Sequence, residues 1–213
     1  INMKIILSVA FIGLIVAWLF FEFGPEEEAW ADTIISSELI LEKKKYDILI
    51  DKSELRWKGS KVLGKSHEGT LKVKKGTVEI DKDGFVNGVI IIDMNSLNCT
   101  DLSGKGKASL ESHLRDDDFF SIGEFSESEI IFKSSNSNNT KMEFNGQLTI
   151  KGIEKPISFV AKIEDGDNGD LFAMSKFEFD RTDYDINYAS IGDNFIRHEI
   201  EIEIELTASP SKD

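Results

Sequence analysis

Two stretches of this chain alternate strictly between apolar and polar side chains. Met142, Phe144, Gly146, Leu148 and Ile150 share one face, with Glu143, Asn145, Gln147 and Thr149 opposite. Towards the C-terminus Ile200, Ile202, Ile204 and Leu206 oppose Glu199, Glu201, Glu203 and Glu205. A period of two with one apolar face predicts antiparallel strands that separate water from an apolar interior. The same period begins at Tyr46, where Ile48 and Ile50, then Leu55 and Trp57, predict a first strand broken or bent near Asp51-Lys52-Ser53. Leu71 and Val73, then Val78 and Ile80, flank Lys74-Lys75-Gly76, which reads as a turn, and Asp81-Lys82-Asp83-Gly84 is another turn signal. Val86–Met94 is nearly continuously apolar and predicts a strand covered on both sides. Further strands are predicted over Glu129–Ser134, Met142–Ile150, Ile157–Ile163, Leu171–Phe179 and His198–Leu206. The connections over 136–139, Gly152–Pro156 and Asp165–Asp170 are hairpin-sized, so sequence neighbours should pair antiparallel.

One segment breaks the ladder. Between Gly104 and Phe125 the chain uses helix formers from Lys107 to Leu114, with Ala108, Leu110 and Leu114 about a turn apart. The acids Asp116-Asp117-Asp118 and two adjacent aromatics, Phe119-Phe120, follow directly. An insertion of this kind in a β protein covers an open end, and function is often carried there.

About eight strands, short turns and one-sided faces predict an all-β fold, an extended antiparallel up-and-down β-barrel with one short helical insertion. An immunoglobulin-like sandwich is the main competitor, disfavoured by the helical insertion and by Cys99 being the single cysteine. An eight-strand barrel is either filled by its own side chains or holds one ligand, as lipocalins do. Fifteen Phe against three Tyr favour a deeply apolar interior, because Phe has no polar atom to satisfy. The candidates to line a cavity are Phe119, Phe120, Phe125 and Phe132, with Phe144, Phe159, Phe177 and Phe179. For each of them ordinary core packing is the competing reading.

Lys4 precedes an apolar run, Ile5–Phe21, whose length lies at the lower limit of about 17 residues for a membrane span. It exceeds the ~7–15 apolar residues usual in a signal peptide. Ala29-Trp30-Ala31 offers a small-x-small cleavage pattern. Residues 1–31 are therefore an apolar helix serving as signal peptide or as uncleaved membrane anchor, and either leaves the remainder exported. Residues 32–45 read as a linker, 46–208 as the barrel domain and 209–213 as a tail.

The net charge of −14 disfavours nucleic acid as a partner. His67, His113 and His198 fall on separate elements with no metal-ligand spacing, and Asp116–Asp118 read as a solvated turn. Asp180-Arg181-Thr182-Asp183-Tyr184 reads as an ion-paired corner. No nucleophile elbow, phosphate loop or dinucleotide fingerprint is present, so neither catalysis nor a cofactor is expected.

Several motifs then fall into a familiar order. Trp57-Lys58-Gly59-Ser60-Lys61-Val62-Leu63-Gly64 with His67-Glu68-Gly69-Thr70 resembles the opening of the YceI-like family. Ser112-His113-Leu114-Arg115-Asp116 with Asp118-Phe119-Phe120 is similar to that family's most recognisable motif. Ile130–Ser134, Gly146–Gly152 with Lys155-Pro156, and Asp180-Arg181 with Asp183-Tyr184 continue the resemblance. It implies a lipocalin-like barrel in the bacterial cell envelope that holds an isoprenoid chain, such as a polyprenyl or quinone tail, in an apolar tunnel. Trp57, Leu71, Ile92, Leu114 and Leu148 join the eight Phe as expected tunnel residues, and His113 and Arg115 are the head-group candidates. The expected partners are an isoprenoid-type lipid, the membrane if residues 1–31 are uncleaved, and a second copy in a homodimer. The competing readings are a packed structural or adhesive barrel, and an enzyme using His113, Arg115 and Asp183.

Overall fold

A computed structural model describes residues 43–61, 64–136, 140–187 and 196–212. The expected apolar helix over 1–31 and nearly all of the 32–45 linker lie outside the described residues. Among the described residues no helix is long and apolar enough to cross a membrane.

Among the described residues nine antiparallel strands form one sheet. They are β1 (Lys44–Ile48), β2 (Glu54–Lys61), β3 (Ser66–Ile80), β4 (Val86–Cys99) and β5 (Glu127–Ser134), then β6 (Lys141–Ile150), β7 (Ile153–Asp165), β8 (Leu171–Asp180) and β9 (Ile196–Pro210). An α-helix, α1 (Gly104–Arg115), joins β4 to β5. β1 and β2 share one place in the ring, because both lie between β3 and β9. Tyr46 pairs with Val78 and Pro210, and Leu55 pairs with Leu71 and Ile204. The expected break between them is a 3-10 turn over Ile50–Lys52. The Ser53 hydroxyl bridges it, donating to the Leu49 carbonyl at 2.8 Å and accepting from the Thr207 N–H at 3.1 Å. With the β3–β4 ladder closing the ring, the sheet is an eight-position up-and-down barrel, and the sandwich alternative falls.

Two expected turns sit elsewhere. Lys74-Lys75-Gly76 is no turn: β3 runs on to Ile80, and the register against β4 shifts between Val73 and Lys75. An extra residue in one strand is taken up as a bulge. A Cβ on Gly76 would lie 2.5 Å from Ile48 Cδ1 and 2.7 Å from the Val89 carbonyl oxygen, so the backbones approach there as only glycine allows. The β6–β7 turn is the pair Lys151 and Gly152, both at positive φ, rather than Gly152–Pro156. Pro156 lies within β7, opposite Gln147.

Pro156 is tolerated there because β7 and β8 pair over only part of their length. The ladder covers Ala161–Asp165 against Leu171–Ser175. Beyond it, residues 153–160 and 176–180 carry no mutual ladder, and a missing N–H does least harm on such an edge.

Inward positions alternate as anticipated. Leu55, Ile130, Phe144, Leu148 and Ile202 are all buried, each such side chain contributing about 1.5–3 kcal/mol relative to exposure. Up-and-down order gives the barrel two ends. Residues near the end of β4 and the start of β5 meet α1 at one, the helix end. Around the other, Phe132, Phe144 and Phe159 pack centroid to centroid at 5.3–6.2 Å and leave a void of only about 60 Å³.

Candidate functional site

The helix end is hollow. Leu55 and Trp57 of β2, Leu71 of β3, Ile92 and Met94 of β4, Leu148 and Ile150 of β6, Phe177 and Phe179 of β8, and Ile200 and Ile202 of β9 surround a cavity of about 290 Å³. Every one of these is placed inward by the two-residue period of its strand. Phe177 stacks on Phe159 at 5.5 Å, so the aromatic cluster forms the floor of this cavity.

Helix α1 forms its roof. Leu110, His113 and Leu114, one turn apart, turn towards the cavity, and Phe119 and Phe120 follow at the helix exit. Phe119 packs edge-on against His113 at 5.5 Å and against Phe120 at 4.8 Å. Side chains clamp the helix to the end of β4. Lys107 Nζ donates to Asn98 Oδ1 at 2.7 Å, the Cys99 N–H donates to Glu111 at 2.8 Å, and the Arg115 guanidinium donates to the carbonyls of Asn95 and Leu97.

Arg115 therefore spends its donors on the β4 backbone. The other head-group candidate, His113, does line the cavity. Of the expected tunnel residues, Trp57, Leu71, Ile92, Leu114, Phe119, Phe120, Leu148, Phe177 and Phe179 line it too. Phe132, Phe144 and Phe159 sit instead around the far void. Phe125 lies against the β6–β7 turn, where a Cβ on Gly152 would come within 3.1 Å of its ring. Asp183 is exposed on the 3-10 turn after β8 and is not among the described residues that line the cavity.

The mouth carries nitrogen. Lys61, Lys65, His67, His113 and Arg181 line the cavity, and among the described residues none of its lining is acidic. His67 Nδ1 lies 2.8 Å from Asp101, whose other oxygen accepts from the Cys99 thiol and the Glu68 N–H, each at 3.1 Å. Burial would raise the Asp101 carboxyl pKa, but these bonds hold it down at about 2. Burial, then the bond to Asp101, pushes the Cys99 thiol up, away from reactive thiolate. Asp116–Asp118 form an exposed turn, as expected, with Asp116 and Asp118 on the His113 side. One oxygen of each comes within 4.8 Å of a His113 nitrogen, an arrangement of cation-ligand type on a largely exposed surface.

Arg181 was expected in an ion-paired corner, and the structure corrects this. Asp180 caps the turn by accepting from Thr182, while Arg181 turns inward, 4 % exposed. Its donors reach the carbonyls of Ile186 and Arg197, and among the described residues no carboxylate pairs with it. The indole N–H of Trp57 is also buried without an acceptor. The site thus offers a mainly apolar chamber with a few buried polar donors in its wall.

The YceI-like domain model matches residues 46–208. By fold the barrel is similar to BcnA of Burkholderia cenocepacia, with a TM-score of 0.64 at 16% identity over 76% of this chain and 99% of that one. It is also similar to a polyisoprenoid-binding domain from Saccharophagus degradans implicated in plant cell wall breakdown, at 0.57 and 14% over 78% and 98%. No curated protein matches the chain by sequence.

Proposed function

The chain belongs to the YceI-like family, and from that membership we propose that it is a non-catalytic binding protein holding an amphiphilic, isoprenoid-type lipid in its barrel. The observation that carries the reading is the cavity of about 290 Å³ under α1, walled by Leu, Ile, Phe and Trp and reaching the surface at Lys65. Such a chamber rewards each buried methylene of a chain by about 0.8 kcal/mol without a polar contact. The Saccharophagus degradans domain, named for polyisoprenoid binding, has a similar barrel. The exported location and a tether through residues 1–31 belong to the same proposal. They rest on the apolar run Ile5–Phe21.

Native mass spectrometry of the full chain from a bacterial host, followed by solvent extraction, tests the reading. A stoichiometric adduct that extracts as a polyprenyl compound or isoprenoid quinone is the expected result. A bare mass, with no uptake of added isoprenoid quinone, would favour a barrel whose role is structural.

A further inference from the structure

Four phenylalanines on four consecutive strands stand between the cavity and the far void. Phe159 is the centre of the group. It stacks on Phe144 at 5.3 Å and on Phe177 at 5.5 Å, and meets Phe132 edge-on at 6.2 Å. The ladders hold these rings in place. Phe144 lies opposite Phe159 in the β6–β7 register, and Phe132 lies between Gly88 and Gly146, whose missing side chains leave it room. A Cβ on Gly88 would come within 2.7 Å of the Phe132 ring. Phe177 faces the cavity, the other three rings face the void, and Ile130 is the one residue that the two described linings share. Moving Phe159 aside would break its contacts with three rings at once. The void behind it, about 60 Å³, is less than half of the ~150 Å³ cavity that holds one benzene ring, so the displaced side chain has nowhere to go.

A closed floor sets a capacity. On the same scale, six carbons to ~150 Å³, the cavity of about 290 Å³ holds roughly a dozen carbons, between two and three isoprene units. We propose that the cluster around Phe159 is a length stop, which limits the buried part of the ligand to a short isoprenoid tail of at most three units. The inference rests on the lipid-binding reading and adds a chain-length limit to it. Each carbon buried against an apolar wall raises affinity by about fourfold, and a carbon left in water adds nothing. A tail shorter than the cavity is therefore penalised for every missing unit, while a longer one gains nothing from its excess.

Fluorescence titration of the full chain with geraniol, farnesol and geranylgeraniol tests the stop. These alcohols carry two, three and four isoprene units and differ only in tail length. Farnesol should bind at least about tenfold more tightly than geraniol, as about two further buried carbons require, and geranylgeraniol should bind within about twofold of farnesol. Phe159→Ala should open the void to the tail, so that geranylgeraniol then binds at least about tenfold more tightly than farnesol. In the unmodified protein, a gain from farnesol to geranylgeraniol as large as that from geraniol to farnesol would overturn the length stop and leave the lipid-binding reading standing. Equal binding of geraniol and farnesol would put the stop nearer the mouth, against the proposal. A limit that stays at three units in Phe159→Ala would assign it to other residues and count against it too. No binding of any of the three would overturn both the stop and the lipid-binding reading. If Phe159→Ala does not fold, the series in the unmodified protein and in Phe159→Leu, where a smaller shift is expected, decides.

Discussion

Trp57 and Gly69 face each other across the β2–β3 ladder, and the indole occupies the space that a side chain at position 69 would need. A Cβ there would lie 2.6 Å from Trp57 Cζ2 and 2.1 Å from the Asn98 carbonyl oxygen, which is backbone and cannot rotate away. Gly69→Ala should therefore destabilise the barrel by about 1–3 kcal/mol, read from denaturant unfolding. An unchanged midpoint would mean that the strands are not packed this closely.

Because Trp57 borders the cavity, its emission should report occupancy. Titrating farnesol should change the fluorescence of the full chain, and Trp57→Phe should remove the change although Trp18 and Trp30 remain. A ligand-dependent signal that persists in Trp57→Phe would place the ligand elsewhere.

Phe119 and Phe120 close the roof beside His113. Replacing both with Asp puts charge on that wall, so lipid retained through purification should be lost while the far-ultraviolet strand signal stays. Full retention would show that the tail does not pass under α1.

Phe144 is 2 % exposed and stacks on Phe159 in the floor. Phe144→Ala should cost about 3–5 kcal/mol in thermal or denaturant unfolding. A cost below 1 kcal/mol would mean that the floor collapses to fill the space.

Asp101, with its pKa held at about 2, supplies a pH dependence of known sign. Its folded pKa lies below the ordinary carboxylate value, so its contribution is complete above about pH 4 and is lost as pH falls towards 2. Asp101→Asn should lower stability at neutral pH and flatten the acid limb between pH 4 and 2. A limb as steep as in the unmodified protein would assign acid lability to other carboxylates.

Much of this architecture is written in local patterns. The alternation in β6 and β9, the bend after Ile48 and the helix before Asp116 all follow from residues within a few positions of one another. What eluded the sequence was non-local. Lys74-Lys75-Gly76 has turn composition, and only Ile48 and Val89, from two neighbouring strands, make Gly76 a point of close approach instead. Periodicity puts Phe144 and Phe177 inward alike, but it does not say which end of the barrel each one reaches. Arg181 sits among acids in sequence, so pairing looked natural. The Asp180 cap uses the nearest carboxylate on the backbone and turns the guanidinium the other way.

The half-made ladder between β7 and β8 gives the barrel an uneven mechanical strength. Around most of the ring, separating two strands means breaking a run of backbone hydrogen bonds together. Along 153–160 and 176–180 only side chains such as Phe159 and Phe177 hold the walls together. Fewer backbone hydrogen bonds resist local opening there, so the amides that face this seam should exchange with solvent early. The seam runs beside the cavity, past Phe177 and Phe179. In the lipid-binding reading, a tail entering sideways between these two strands would not need α1 to lift.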